Sequence, residues 1–311
     1  MATDLLYYGG VIPDHFKEVW YANIKKYIDI NKDNMMARRL AIVKPVPYVT
    51  EEYSITAIDV SAEEVVPKAR SAAPENITLG GNERTYRIFR YPTGFVLNED
   101  DLKKQPELQG WHIDACTRKI FRAEDKSFYV GRSNLDIIGF KAAAEANSNG
   151  KIVASGASGK DNNNNGAWLT DDGSRDIYED LRMARGKLAS KYRSNLQNLF
   201  LVGNAVSMDA LWQKDPYSDD SSPILSSVAP LFGRSSDAPI GDWALINDQI
   251  DDNYVFIVCR DSEAAELIEA KPIIIDDNYP RQPIGNLQVA IYEDIGIAIH
   301  DFNAYVEIAV N

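Results

Sequence analysis

Two runs that read as β-strands, YSITAIDV (residues 53–60) and RTYRIFRY (84–91), flank SAEEVVPKARSAAPENITLGGNE, a polar stretch with Pro67, Pro74, Gly80 and Gly81. The flanks are rich in β-branched and aromatic side chains, which suit a pleated ribbon. The stretch between them has too few large apolar side chains to form a core, and a two-stranded ribbon by itself is marginal in water. A loop of this length inside a compact domain is usually functional or disordered. The segment therefore predicts a long extended hairpin that is stable only when it lies on a surface supplied from elsewhere.

The rest of the chain alternates helix and strand. Residues 13–30 open on Pro13 and Asp14 and place Phe16, Trp20, Ile24, Tyr27 and Ile28 on one stripe, an amphipathic helix expected to pack on its own domain. Residues 106–130 read as a long helix with Ile113, Cys116, Ile120 and Ala123 on its inner face and Gly131 as its stop. A second helix is predicted from Ser174 to about Asn195, with Ile177, Leu181, Ala184, Leu188 and Tyr192 as its stripe. Between them GKIVASGASGKDNNNNGAWLTDDG has no apolar periodicity and reads as a mobile loop. Leu199–Val202 is a short buried strand, followed by a helical turn through Met208, Leu211 and Trp212 and the polar loop KDPYSDDSSP. The last third reads as strands: YVFIVCR, KPIII, LQVAIYEDIGIAI and AYVEIAV. The fold class is α+β.

Composition excludes several functions. The 311 residues are 45% hydrophobic and 25% charged, as expected of a folded protein, and carry a formal charge of -13. That balance, with no Lys/Arg cluster, opposes a surface built to neutralise phosphates. Two distant cysteines, Cys116 and Cys259, do not make a disulfide framework. Neither a signal peptide nor a run of about 18 apolar residues is present, so no membrane span is expected. The segment SGASGKD fails as a phosphate loop, because Ala154 stands for its first glycine and Asp161 for the hydroxyl after Lys160. His15, His112 and His300 are scattered, with no partner at metal-ligand spacing. There is no GxSxG elbow and no Cys with a His motif. The pairs Asp100-Asp101, Asp171-Asp172 and Asp219-Asp220 lack calcium-loop spacing and read as solvated turns and caps. No catalytic residue, cofactor or metal is expected.

In this order the segments resemble the major capsid proteins of tailed phages, the Hong Kong 97-type fold that encapsulin nanocompartments share. AEEVVPKARSAAPENITLGGNERTYRIFRYPTGFVLNEDDL is similar to the family's extended E-loop and its return strand. ACTRKIFRAEDKSFYVGRSNLDIIGF resembles the spine-helix region, with Gly131 and then Ile138-Gly139. The helix 174–194 followed by LFLVGNAVSMDALW resembles the start of the axial A-domain, and QVAIYEDIGIAIHDFNAYVEI the closing strands. The resemblance implies four parts: an N-terminal arm and helix (1–49), an E-loop (50–95), a peripheral P-domain (96–195 plus 263–300) and an A-domain (196–262 plus 301–311).

It also implies what such a chain does. It would self-assemble as hexamers and pentamers into an icosahedral virion shell, made in the host cytoplasm, enclosing DNA without sequence-specific binding. A separate scaffolding protein, a portal and, where present, cement proteins would be its partners. Some members join an E-loop Lys to an Asn of a neighbouring subunit with the help of a Glu. Asn286 and Glu293 fall where that Asn and Glu would lie; beside the E-loop proline stand Ala73 and Arg70, with Lys68 the nearest lysine. An encapsulin shell protein is the alternative. A soluble α+β enzyme or binding protein is the competing class, favoured by a chain that stays monomeric and binds a small ligand.

Overall fold

A computed structural model describes residues 14–31, 35–59, 80–98, 108–147, 151–153, 168, 177–213, 223–276 and 286–310. Along the chain, α1 (Asp14–Asn31) and α2 (Met36–Leu40) lead into β1 (Ile42–Pro45), the hairpin strands β2 (Glu52–Asp59) and β3 (Gly80–Arg87), and β4 (Phe89–Asn98). The long helix α3 (Leu108–Val130) is followed by the short strands β5 (Gly131–Arg132) and β6 (Ile137–Ile138), then α4 (Phe140–Ala146) and β7 (Lys151–Val153). Next come α5 (Ile177–Lys187), α6 (Ser190–Arg193), β8 (Leu199–Gly203), α7 (Ala205–Asp209), α8 (Ile224–Val228) and β9 (Ala244–Ile246). Four strands close the chain: β10 (Tyr254–Cys259), β11 (Ala265–Asp276), β12 (Asn286–Ile299) and β13 (Tyr305–Ala309).

These strands form two main sheets. Sheet I has the order β1-β11-β12-β4, and sheet II the order β7-β13-β10-β8-β9. Their buried residues fall into two clusters, the larger filling sheet II and reaching into sheet I through Leu267, Ile295 and Ile297. Under sheet I, the predicted stripes of α1 and α3 meet: Trp20 and Ile24 pack with Ile113, Cys116, Ile120 and Phe121 against Ile273, Ile275, Val289 and Ile291 of the sheet. The first helix thus buries its apolar face on its own domain, as expected. In sheet II, LFLVG and YVFIVC are apolar on both faces, and α4 and α5 pack against β13. Continuous apolar strands are what a sheet covered on both sides needs. The stripe Ile177, Leu181, Ala184, Leu188 and Tyr192 is buried in the larger cluster. Among the described residues no helix is long and apolar enough to cross a membrane.

Several expected boundaries change. RTYRIFRY is two strands, because the chain leaves the hairpin at Ile88, whose N–H donates to Glu51 O, and enters sheet I as β4. Pro92 is tolerated in β4 because that strand is the sheet's edge. The predicted helix 174–195 is broken at Leu188–Ala189, where the Ala189 N–H donates to Asn303 O instead of continuing the helical ladder; Ser174, its expected cap, lies outside the described residues. Helix α4 and strand β7 were not foreseen, since seven and three residues are too short to display a period. The segment read as a mobile loop therefore holds a strand, and its Trp168 is buried with its indole N–H on Asp180 Oδ2 at 3.0 Å. The strand read as KPIII begins earlier, at Ala265.

The exit from α3 depends on two glycines. Gly131 has φ +83, and a Cβ there would stand 2.4 Å from Ile137 O; one on Gly139 would stand 2.4 Å from both Gly131 N and Tyr129 O. The β5–β6 turn closes only because neither residue has a side chain. Gly139→Ala is expected to lower stability by about 2 kcal/mol or more, read as a reduced urea midpoint, whereas Gly186→Ala, in open space on α5, stabilises slightly.

Candidate functional site

Two features stand out once the cores are accounted for: the root of the hairpin, and a charged junction between the cores. In the hairpin, Glu52 lies opposite Arg87 and Asp59 opposite Gly80. Its root is tied down by polar bonds. Tyr86 Oη donates to Ile299 O and meets His300 Nδ1, both at 3.0 Å, and Arg84 donates to His300 O at 2.9 Å. Lys44 reaches over the Tyr53 ring and pairs with Glu266 at 3.5 Å. Burial pushes the Tyr86 phenol up and the His300 imidazole down, keeping both neutral at this contact. None of the described hairpin side chains joins either core. The ribbon leaves the sheet with its strands paired from Glu52–Arg87 to Asp59–Gly80.

The charged junction lies at the seam of the two cores. Arg38, on α2, faces three carboxylates: Glu124 of α3 at 3.3 Å, Glu269 of β11 at 3.2 Å, and Glu293 of β12. Its guanidinium also stands 5.0 Å from the Phe121 ring centroid. Burial works against the charge, but Glu124, Glu293 and Glu269 outweigh it and raise the pKa of Arg38. Glu293 is 0% exposed and Glu124 1%. Burial pushes both carboxyls up, and both stand on the same guanidinium nitrogen, Arg38 Nη2. Glu293 Oε2 finds no N–H or O–H donor among the described residues, so a proton on one of the two carboxyls is its natural partner.

The next residue of α3, Asp125, serves a different purpose. The N-cap position of α2, Met35, makes no side-chain cap bond, and Asp125 Oδ1 accepts the Ala37 N–H at 2.8 Å in its place. Its Oδ2 accepts from Asn247 at 3.3 Å, and burial raises the carboxyl to about 7. The opposite face of sheet I repeats the pattern: Asp294 accepts from Arg90 at 2.7 and 2.9 Å, with Lys271 at 3.7 Å. Strand β11 also carries register irregularities here, between Glu269 and Lys271 and between Lys271 and Ile274. Among the described residues no group of three or more His, Cys, Asp or Glu is arranged to hold a metal ion.

Of the residues singled out in the sequence, Lys68 lies outside the described residues, as do the three Asp pairs and the SGASGKD loop. Asn286 is the first residue of β12, opposite Asn98, and Glu293 sits on the same strand opposite Tyr91. Seven residues of strand separate their backbones by about 23 Å. Glu293 is committed to Arg38 rather than facing solvent. Arg38, Glu124 and Glu269 were not anticipated. A signal for one was present, because Glu124 falls on the α3 stripe four residues after Ile120 and four before Phe128, where a carboxylate needs a partner.

No protein-family model matches the sequence, and no curated protein matches it either. Solved structures do. The chain is similar to the capsid of a native GTA particle at 16% identity, covering 89% of this chain and 90% of that one with a TM-score of 0.59. It is similar to the capsid of Myoviridae phage XM1 at 12% identity over 89% and 91% of the two chains, with a TM-score of 0.56. The virus-like particle from Pyrococcus furiosus is similar at 11% identity over 94% and 99%, with a TM-score of 0.53.

Proposed function

We propose that this chain, which has the Hong Kong 97-type capsid fold, is a major capsid protein whose copies assemble into the closed shell of a virion. The observation that carries the reading is the hairpin root: a paired ribbon anchored at one end by Tyr86 and Arg84, whose described side chains join neither core. A ribbon of that kind becomes stable by lying on another copy, and lattice symmetry multiplies modest contacts into a stable particle. Hexamers and pentamers of the chain are the capsomers this reading requires. A scaffolding protein and a portal are its expected partners, and cement proteins join where the shell carries them. The net charge of -13 suits a wall that encloses DNA without adhering to it. The role this reading assigns to the chain is structural.

Electron microscopy of the purified protein tests this directly: closed shells of uniform size are expected, and a monomer that persists at high concentration and binds a small ligand would return the chain to the competing class. The second reading, an encapsulin-type shell around protein cargo, has support from the coverage of the Pyrococcus furiosus virus-like particle. The contents of shells from the native source separate the two, nucleic acid for the first and one co-packaged protein for the second.

The fate of Asn286 and Glu293 has its own readout. With Glu293 sealed against Arg38, we infer that the shell is held by non-covalent contacts. Boiled in detergent, shells are expected to run as one band at 34.7 kDa. A ladder of covalent multimers abolished by Asn286→Ala would instead assign Asn286 to a cross-link.

A further inference from the structure

The seam between the two cores is built from charge rather than hydrocarbon, and the balance of that charge is uneven. One guanidinium, Arg38, faces Glu124, Glu269 and Glu293, and two of these carboxyls are sealed from solvent. The groups packed around the pair are Arg38 from α2, Glu124 and Asp125 from α3, Glu269 from β11 and Tyr91 from β4, with Arg132 beyond Tyr91. Arg38 is the only cation in direct contact with the pair among the described residues. Three full negative charges on one cation would leave the buried pair repelling itself, whereas a single proton bridging Glu124 and Glu293 satisfies the bare Oε2 and relieves the repulsion.

We propose that the Arg38–Glu124–Glu269–Glu293 junction is a proton-held latch that opens as pH rises, in which one proton held between Glu124 and Glu293 keeps the long helix α3 seated on sheet I and its loss loosens that seam. The location suits a hinge. The cluster joins α2, α3, β11 and β12 at one level, β11 is irregular at the same level, and sheet II with its core lies beyond it. The sign follows from linkage. A carboxyl whose pKa is raised on folding contributes stability that is complete below its ordinary unfolded value and disappears as pH climbs through the raised one. Below that range the latch is shut; above it, two adjacent buried charges push α3 and β12 apart.

The latch does not depend on the shell reading, since it acts within one chain. Glu293→Gln supplies the test: its amide oxygen accepts from Arg38 and its N–H donates to Glu124, which fixes the protonated arrangement at every pH. Hydrogen exchange of α3 and β12 peptides, normalised to β8 and β10 in sheet II, is compared between wild type and E293Q as pH rises. Wild type is expected to open progressively, by up to roughly tenfold per pH unit beyond release of the proton, while E293Q stays flat. Glu124 influences the titration of Asp125, so the comparison is repeated with Asp125→Asn in both chains, which removes that contribution. Parallel profiles would overturn the proposal. Should E293Q not fold, E124Q makes the same mimic from the other side, and the infrared band of a protonated carboxyl in the wild type, lost as exchange accelerates, is an independent readout whose absence also overturns it.

Discussion

A chain in which residues 60–79 are replaced by Asn-Gly is expected to fold, to melt close to wild type, and to form no shells. Asp59 and Gly80 are cross-strand partners, so a two-residue type I′ turn closes the shortened hairpin without altering its register. The described anchors of the root, Tyr86 on Ile299 O and Arg84 on His300 O, remain in place. Every described member of both cores is retained, and the change in stability is expected to stay within about 1 kcal/mol. What disappears is the area that one copy lays on the next. Sedimentation velocity reads the loss of particles and a melt reads the retained fold. Shells of normal size from this variant would remove the hairpin from the assembly mechanism, and a chain that no longer melts cooperatively would show that the segment belongs to the fold.

The second large effect falls on Arg38. Arg38→Met leaves Glu124, Glu269 and Glu293 without their cation, and breaking a buried pair by removing one partner costs about 3–5 kcal/mol. Against a total of roughly 5–15 kcal/mol for a domain, the variant should be poorly soluble near neutral pH and partly rescued by acid, where the carboxyls are neutral. Arg38→Lys should recover only part of the loss, because one ammonium cannot span three carboxylates as the guanidinium does. The half-exposed pair Arg90–Asp294 is the control: Arg90→Met should cost under about 1 kcal/mol. Equal urea midpoints for the Arg38 and Arg90 variants would mean that the junction is solvated and carries no special weight.

Much of the architecture can be read from the chain, for reasons that also explain what cannot. The long stripes of α1 and α3, the apolar strand LFLV and the alternation along LQVAIYEDIGIAI each repeat a period often enough to identify both the element and its buried side. The hairpin strands Glu52–Asp59 and Gly80–Arg87 were legible from their β-branched and aromatic residues, while the tip between them lies outside the described residues. Short elements carry no period, and so α4, β7 and the break at Ala189 were missed. The charged junction was hidden because its members come from four elements distant in sequence, Arg38, Glu124, Glu269 and Glu293. Yet Glu293 keeps step with the inward residues Val289, Ile291, Ile295 and Ile297, and a carboxylate in that series signals a buried partner. The likeness to phage capsids rests on segment order and not on any local motif, which fits identities as low as 11–16% to solved structures of the same fold.

The chain passes between its two sheets twice in close succession, at residues 260–264 and again at 300–304, and the crossings are stitched together where the His300 N–H donates to Ala264 O at 2.9 Å. On the far side of each crossing the strands β11 and β12 run antiparallel for most of their length. A pull passed from one sheet to the other through these crossings would therefore load this long ladder lengthwise, so that many backbone bonds resist together instead of parting one after another. The same strands that carry the hairpin root would then act as the tendon of the chain.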